Sequence, residues 1–393
     1  MKEVKLGVII CLILVLAVFM GCSKDNNKKS ESSSVGTTTE TTKEVATPIF
    51  YPELDLNPQE ALSVNEDGIK AVSPSQLVLS DKDIQKLKDG NYTAAFCYHT
   101  LSDTCNQTKL ASATALLNSW GIEVVSVTDA SFDAATQTAQ IESTMALNPD
   151  ILFVMPYDAD ACASALKASV VGTNTQIVFM ENTAAGFTAG VDYIGCASSD
   201  SYGNGKACAD ILAKEIGYKG EVAMMFYDMV YPVTNERDRG FIETIENNYP
   251  EIEIVFKAGF TNPNDTGTVA DAILARFPNI DGIYATWDIP AEGAIAAANS
   301  LGKEDLIITC CDLGDTAAKS IAEDGMIRGS GAPRSPEQGQ AEALLAAYGL
   351  LGKDLPSTYV TPPALPVVKS NLLEAYKISY GIEAPQWLQD ILN

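Results

Sequence analysis

The chain has 393 residues, 46% hydrophobic and 20% charged, a balance that builds a buried core and excludes a disordered or fibrous chain. With 51 acidic against 26 basic residues the formal charge is −25; a surface this acidic repels phosphate backbones and excludes nucleic-acid binding. There is one histidine, His99, and no Cys-x-x-Cys pair, so no zinc site of ordinary ligands is available, and no metal or cofactor is expected.

At the N-terminus, Lys2 and Lys5 precede an apolar run over residues 6–20, shorter than the roughly 20 residues of a spanning helix. A basic start, an apolar centre and a small residue before the cut mark residues 1–21 as a secretory signal peptide. Phe19-Met20-Gly21-Cys22 resembles the bacterial lipobox, although Phe19 and Met20 depart from its usual leucine and small residue. Cys22 would then be lipidated; the other reading is an uncleaved signal anchor with a chance cysteine. Residues 22–47 carry almost no large apolar side chains and read as the lipidated cysteine followed by a flexible tether. A diacylglycerol anchor holds stably, which places the body at the cell membrane on the extracytoplasmic side. Apart from Cys11 and Cys22, seven cysteines remain, an odd number. Cys97, Cys162, Cys196 and Cys310 lie in apolar or alanine-rich contexts, so free buried thiols are expected rather than a disulfide framework.

Residues 48–90 form an N-terminal extension in which Ser80 or Asp81 caps a short helix running to Lys88. A strand follows at 93–97. Then comes a long self-similarity. Residues 106–181 read as a helix (108–119), a strand (123–127), a link (132–134), a helix (136–147), the turn Asn148-Pro149-Asp150 and a strand (151–155). Residues 235–312 repeat that order: helix 238–247, strand 251–257, link 262–265, helix 268–277, a turn ending at Asp281, and strand 282–286. Each copy continues through an alanine-rich helix to a further strand, 176–180 in one and 306–310 in the other, and Asp150 stands as far from Glu181 as Asp281 from Asp312. Strands alternating with helices imply an α/β fold of parallel sheets covered on both faces, and two copies imply two similar lobes.

Ligands of open parallel sheets bind beyond the carboxyl ends of the strands. The residues there are His99 and Asp103, Tyr157-Asp158, Glu181-Asn182, Tyr227-Asp228, Trp287-Asp288 and Asp312. Carboxylates and amides beside aromatic rings suit a neutral polyol, whose hydroxyls donate and accept while its C–H faces seek apolar contact. Bland readings stand beside these: Asp103, Asp158 and Asp228 equally suit helix caps, Trp287 suits ordinary core, and Arg237 suits a surface ion pair with Glu236 or Glu243. Gly203-Asn204-Gly205-Lys206 is not a phosphate loop, because position 200 is Asp200 rather than glycine.

Residues 91 to about 390 resemble the periplasmic sugar-binding proteins of ABC importers, the ribose-binding type that shares its fold with LacI-type repressor cores. The resemblance rests on Arg237-x-x-Gly240-Phe241, Ser199-Asp200-x-x-Gly203-x-Gly205, Trp287-Asp288 with Gly293-Ala294, Asp312, and Pro336-Glu337-Gln338. It implies two Rossmann-like lobes of the type I periplasmic binding protein class on a three-strand hinge, with crossings near 198–200, 333–335 and 357–360. Lobe 1 would comprise 91–198 and 335–357, lobe 2 199–334 and 358–393. It also implies a monomer that takes a small-molecule ligand, a sugar, into the cleft and passes it to ABC importer membrane subunits. Arg237 would clamp ligand hydroxyls and Asp312 accept from them. Glu181-Asn182 stand where the family commonly has Asp-Arg, Trp287 where ribose binders have Asn, and Arg334 where they have Gln. These departures point to a sugar other than ribose. The candidate ligand-binding set is therefore His99, Asp103, Glu181, Asn182, Arg237, Trp287, Asp288, Asp312 and Arg334. A lipid-anchored glycoside hydrolase using Glu181 and Asp312 is the competing class, and presentation of ligand to a membrane sensor a further one. The duplication favours binding over catalysis, since each lobe offers a matching carboxylate rather than a distinct acid and base.

Overall fold

Ser80 opens the first helix, α1 (Asp81–Gly90), with a reciprocal cap: its hydroxyl accepts from the Asp83 amide while the Asp83 carboxylate accepts from the Ser80 amide. Asp103, Asp133 and Asp158 likewise cap α2 (Thr104–Ser119), α3 (Ala134–Met145) and α4 (Ala159–Ser169), each accepting from the amide three residues on. The computed structural model describes Tyr51, Glu53 to Met229 and Tyr231 to Asn393. The signal run, Cys22 and the tether lie outside the described residues, and the compact unit runs from Glu53 to Asn393.

Five parallel strands alternate with these helices: β1 (Thr93–Tyr98), β2 (Glu123–Asp129), β3 (Ile151–Val154), β4 (Gln176–Met180) and β5 (Gly195–Ala197). Along β1, Ala94, Phe96 and Tyr98 enter one apolar layer with Ala113 and Leu117 of α2. Ala95 and Cys97 enter the opposite layer with Ile141 of α3 and Leu166 of α4. A period of two along the strand thus produces two covered faces.

After β5 the chain crosses into a second sheet. It runs through α5 (Ser201–Glu215), β6 (Gly220–Tyr227), α6 (Pro232–Asn248), β7 (Ile252–Phe260), α7 (Thr266–Arg276), β8 (Gly282–Ala285), α8 (Asp288–Ser300), β9 (Ile307–Cys311), α9 (Asp315–Ala322) and β10 (Ile327–Ala332). It then returns: α10 (Ser335–Leu351) packs on α2, and β11 (Tyr359–Val360) pairs with β5. A last crossing leads to β12 (Leu365–Val368), antiparallel to β10, and to α11 (Leu372–Tyr380) and α12 (Gln386–Leu392). The sheets read β2-β1-β3-β4-β5-β11 and β7-β6-β8-β9-β10-β12, one order used twice. The two turn aspartates also do the same job, Asp150 accepting from the Thr93 amide and Asp281 from the Glu221 amide, both at 2.8 Å.

Three crossings therefore join two α/β lobes. The first runs over residues 198–200 and the second over residues 333–334. The third runs over residues 361–364 rather than 357–360, because Tyr359 and Val360 complete the first sheet before the chain leaves it. Helix α6 starts at Pro232, six residues before the expected 238, since proline fits a first turn that has no amide partner to lose. The seven described cysteines are unbridged, and no described helix is long and apolar enough to cross a membrane.

Candidate functional site

Helix α2 buries Asn106, Lys109, Ala113 and Leu117, a single face at helical spacing. Helix α6 buries Thr234, Arg237, Phe241 and Thr244 in the same manner. Each stripe thus carries one cation into the interior, which is costly unless a partner meets it. Glycines hold these helices close to their neighbours: a Cβ on Gly339 of α10 would lie 2.2 Å from the Lys109 carbonyl oxygen, and one on Gly205 of α5 1.8 Å from that of Arg237.

The partners come from the strand ends. Glu181 follows β4 and Asp312 follows β9, each left-handed at φ +62° and +67°. A non-glycine residue there costs about 1–2 kcal/mol, and both carboxylates offset it by meeting a buried cation. Glu181 bonds Lys109 and also accepts from Gln338 Nε2 at 2.8 Å, the Ser198 hydroxyl at 2.8 Å and the Ser199 amide at 3.3 Å. Asp312 receives both terminal nitrogens of Arg237, each at 2.9 Å, and Arg237 Nη1 also donates to the Thr286 carbonyl at 3.3 Å. Burial alone would raise the Glu181 carboxyl, but the Lys109 charge and these hydrogen bonds outweigh it and carry it down to about 2. Burial would lower Lys109 and Arg237, and their carboxylate partners push both above the usual range instead.

Aromatic rings stand at the strand ends of both lobes. On lobe 1, His99 lies 5.2 Å from Phe132 and 6.5 Å from Tyr157, centroid to centroid. On lobe 2, Trp287 meets Tyr227 and Phe260 edge-on at 5.5 and 5.2 Å. Tyr231, preceding α6, sets its hydroxyl beside Asn182 of the opposite lobe. Burial holds His99 neutral, its imidazole pushed down to about 4. Burial, then the neighbouring Asp312 charge, lifts Asp288 to about 6.

His99, Glu181 and Asn182 thus gather on lobe 1, and Arg237, Trp287, Asp288 and Asp312 on lobe 2. Arg237 takes Asp312 rather than Glu236 or Glu243, which bind Arg239 instead. Asp103 is engaged as the α2 cap, accepting from the Asn106 amide and side chain, both at 2.8 Å. Arg334 precedes α10 and binds Glu337 and Asn57 at 3.1 and 3.0 Å. Asp288 accepts from the Gly314 amide at 2.8 Å. Sequence reasoning missed Lys109, Asn106 and Tyr231. Lys109 carried little signal, since α2, rich in small residues and threonine, has no strong apolar face to mark the lysine as buried. Glu181, bonded to Lys109, Gln338, Ser198 and Ser199, is held as a fixed acceptor.

Two α/β lobes that bring polar groups and aromatic rings to their strand ends have the layout of a two-lobed binding protein. Residues 94–354 match the model of the periplasmic binding protein domain, and the chain belongs to that family. It is similar to the ribose import binding protein of Bacillus subtilis, 28% identical over 48% of this chain and 59% of that one. It is also similar to the D-apiose import binding protein of Actinobacillus succinogenes, 25% identical over 55% of this chain and 68% of that one. Among solved structures, an ABC transporter solute-binding protein from Agrobacterium vitis bound with α-D-tagatopyranose superimposes with a TM-score of 0.65, at 20% identity, over 75% of this chain and all of that one. A second, from Bacillus halodurans with bound myo-inositol, gives 0.62 at 21% identity over 74% and 98%.

Proposed function

We propose that this protein is an extracytoplasmic solute-binding lipoprotein, anchored through Cys22, that captures a sugar or sugar-like polyol between its lobes and delivers it to an ABC importer. The observation that carries the reading is the pairing of the two strand-end carboxylates with buried cations, one pair in each lobe, among aromatic rings. Fixed donors and acceptors suit hydroxyls, and ring faces suit the C–H faces of a sugar. The relatives named for ribose and D-apiose import support it, both solutes being polyhydroxylated and uncharged. Of the candidate set, Arg237, Asp312, Trp287, Asp288, His99 and Asn182 would contact the ligand. Glu181 would act through the hinge, and Asp103 and Arg334 would shape the rim. A panel of monosaccharides and polyols screened by thermal shift tests this: a true ligand at a hundredfold excess over its Kd stabilises by about 2.7 kcal/mol. No shift with any member would remove the reading. Palmitate labelling of wild type and Cys22→Ser tests the anchor.

A further inference from the structure

Asp200 stands at the first crossing, 1% exposed, and its carboxylate is surrounded by donors from three parts of the chain. Gly203 in the first turn of α5 and Ala364 in the third crossing supply amides at 3.1 and 3.3 Å. The other three donors come from the N-terminal extension: the Leu62 amide at 3.0 Å, the Ser63 amide at 2.9 Å and the Ser63 hydroxyl at 2.8 Å. The Ser63 hydroxyl also accepts from the Tyr202 amide at 3.1 Å. Helix α5, the first helix of lobe 2, therefore has one first-turn amide satisfied by its own Asp200 and another by a serine from 139 positions earlier.

The same segment is rooted in lobe 1. Val72 extends the first sheet, donating to the Tyr359 carbonyl at 3.1 Å and accepting from the Thr361 amide at 3.0 Å. Ser357 donates to the Lys70 carbonyl at 2.9 Å. A small antiparallel bridge, Val64 with Lys70, joins this root to Ser63. Asn57 meanwhile reaches Arg334 at the second crossing. Residues 57–72 thus touch all three crossings, and they precede the stretch that matches the family model, which begins at residue 94.

We infer that residues 57–72 are a strap that braces the hinge, and that Ser63 is a positioning residue for ligand capture. The strap ties lobe 1 to the α5 terminus of lobe 2 in the arrangement where Tyr231 meets Asn182 across the cleft. Without Ser63 the buried carboxylate loses a donor and α5 loses a cap, so this arrangement is disfavoured against others in which the crossings rotate. A ligand that contacts both lobes then binds more weakly by the factor through which its competent state is depopulated. The effect on affinity rests on the solute-capture reading; the effect on lobe arrangement does not.

The test uses the full chain with Ser63→Ala and, separately, Asn57→Ala, which removes only the contact with Arg334 at the second crossing. Affinity is measured by calorimetry with whichever of D-ribose, D-allose, D-tagatose and myo-inositol binds wild type most tightly, alongside melting temperature and small-angle scattering without ligand. Ser63→Ala is expected to weaken binding about tenfold, mainly through faster release, and to enlarge the unliganded particle toward an open form. Asn57→Ala is expected to shift both readouts in the same direction by a smaller factor, and carries the test alone if Ser63→Ala does not fold. A lower melting temperature with unchanged affinity and unchanged scattering assigns these residues to stability alone and overturns the inference. If no sugar binds wild type, the solute-capture reading fails, and the scattering profiles still decide whether the strap sets the lobe arrangement.

Discussion

Arg237 grips Asp312 with two parallel hydrogen bonds of 2.9 Å, and Lys109 holds Glu181 at the corresponding strand end of the other lobe. Each pair joins a helix stripe to the residue after a strand, so each lobe builds its half of the cleft by the same construction. The pairs differ in what is left over. Both Glu181 oxygens are committed to hinge groups, whereas the Asp312 side chain keeps 27% of its surface open toward the cleft.

Removing Asp312 should cost more than its own exposure suggests. Asp312→Ala leaves the Arg237 guanidinium buried with only the Thr286 carbonyl, and a loss of about 3 kcal/mol is expected in urea unfolding. Ligand-induced thermal shifts should vanish in the same variant and in Arg237→Ala. Full affinity in both would remove this pair from the site.

Trp287→Ala should abolish or strongly weaken ligand binding while costing stability moderately, because the indole packs edge-on against Tyr227 and Phe260 rather than deep in the core. Calorimetric titration beside thermal melting separates the two effects.

Glu181 gives a pH dependence of defined sign. Its folded-state pKa is depressed to about 2 from 4.5, so its contribution to stability is present above pH 4.5 and is lost as the pH falls toward 2. Glu181→Gln should be less stable at pH 7 and should lack this part of the acid loss. Unfolding free energies measured from pH 6 to 2.5 test it.

Glu342 works in the opposite direction. It is fully buried in α10 with both carboxyl oxygens unpartnered, and burial, opposed by Lys109 and reinforced by Glu181, lifts it from 4.5 to about 8. The folded state therefore keeps a proton that the unfolded chain releases, and stability falls as the pH rises from 4.5 to 8, by up to about 1.4 kcal/mol per pH unit from this group. Glu342→Gln should flatten that slope between pH 5 and 8, read by denaturant unfolding at several pH values.

The duplicated order of strands and helices was legible because long periodic segments and turn aspartates mark both copies. β4 falls on the residues the sequence assigns it. The strands beside the crossings were not legible. β5 has three residues and β11 two, too short to show any alternation, and β10 is interrupted by Gly329 and Gly331. Arg237 and Asp312 were legible as candidates, but their pairing was not, because it joins positions 75 apart in the chain, one in α6 and one after β9. Lys109 escaped notice because its helix, rich in small residues and threonine, has no strong apolar face for a lysine to interrupt.

Lys109 cancels Glu181, and Arg237 cancels Asp312, so in a chain with 25 more negative than positive charges these two pairs add no net charge to the cleft. The outer surface repels anions over about a Debye length, some 8 Å at physiological salt. The approach of an anionic solute is therefore disfavoured relative to that of a neutral one. The acidic exterior thus weighs against anions only, while the paired charges inside leave the strand ends electrically balanced.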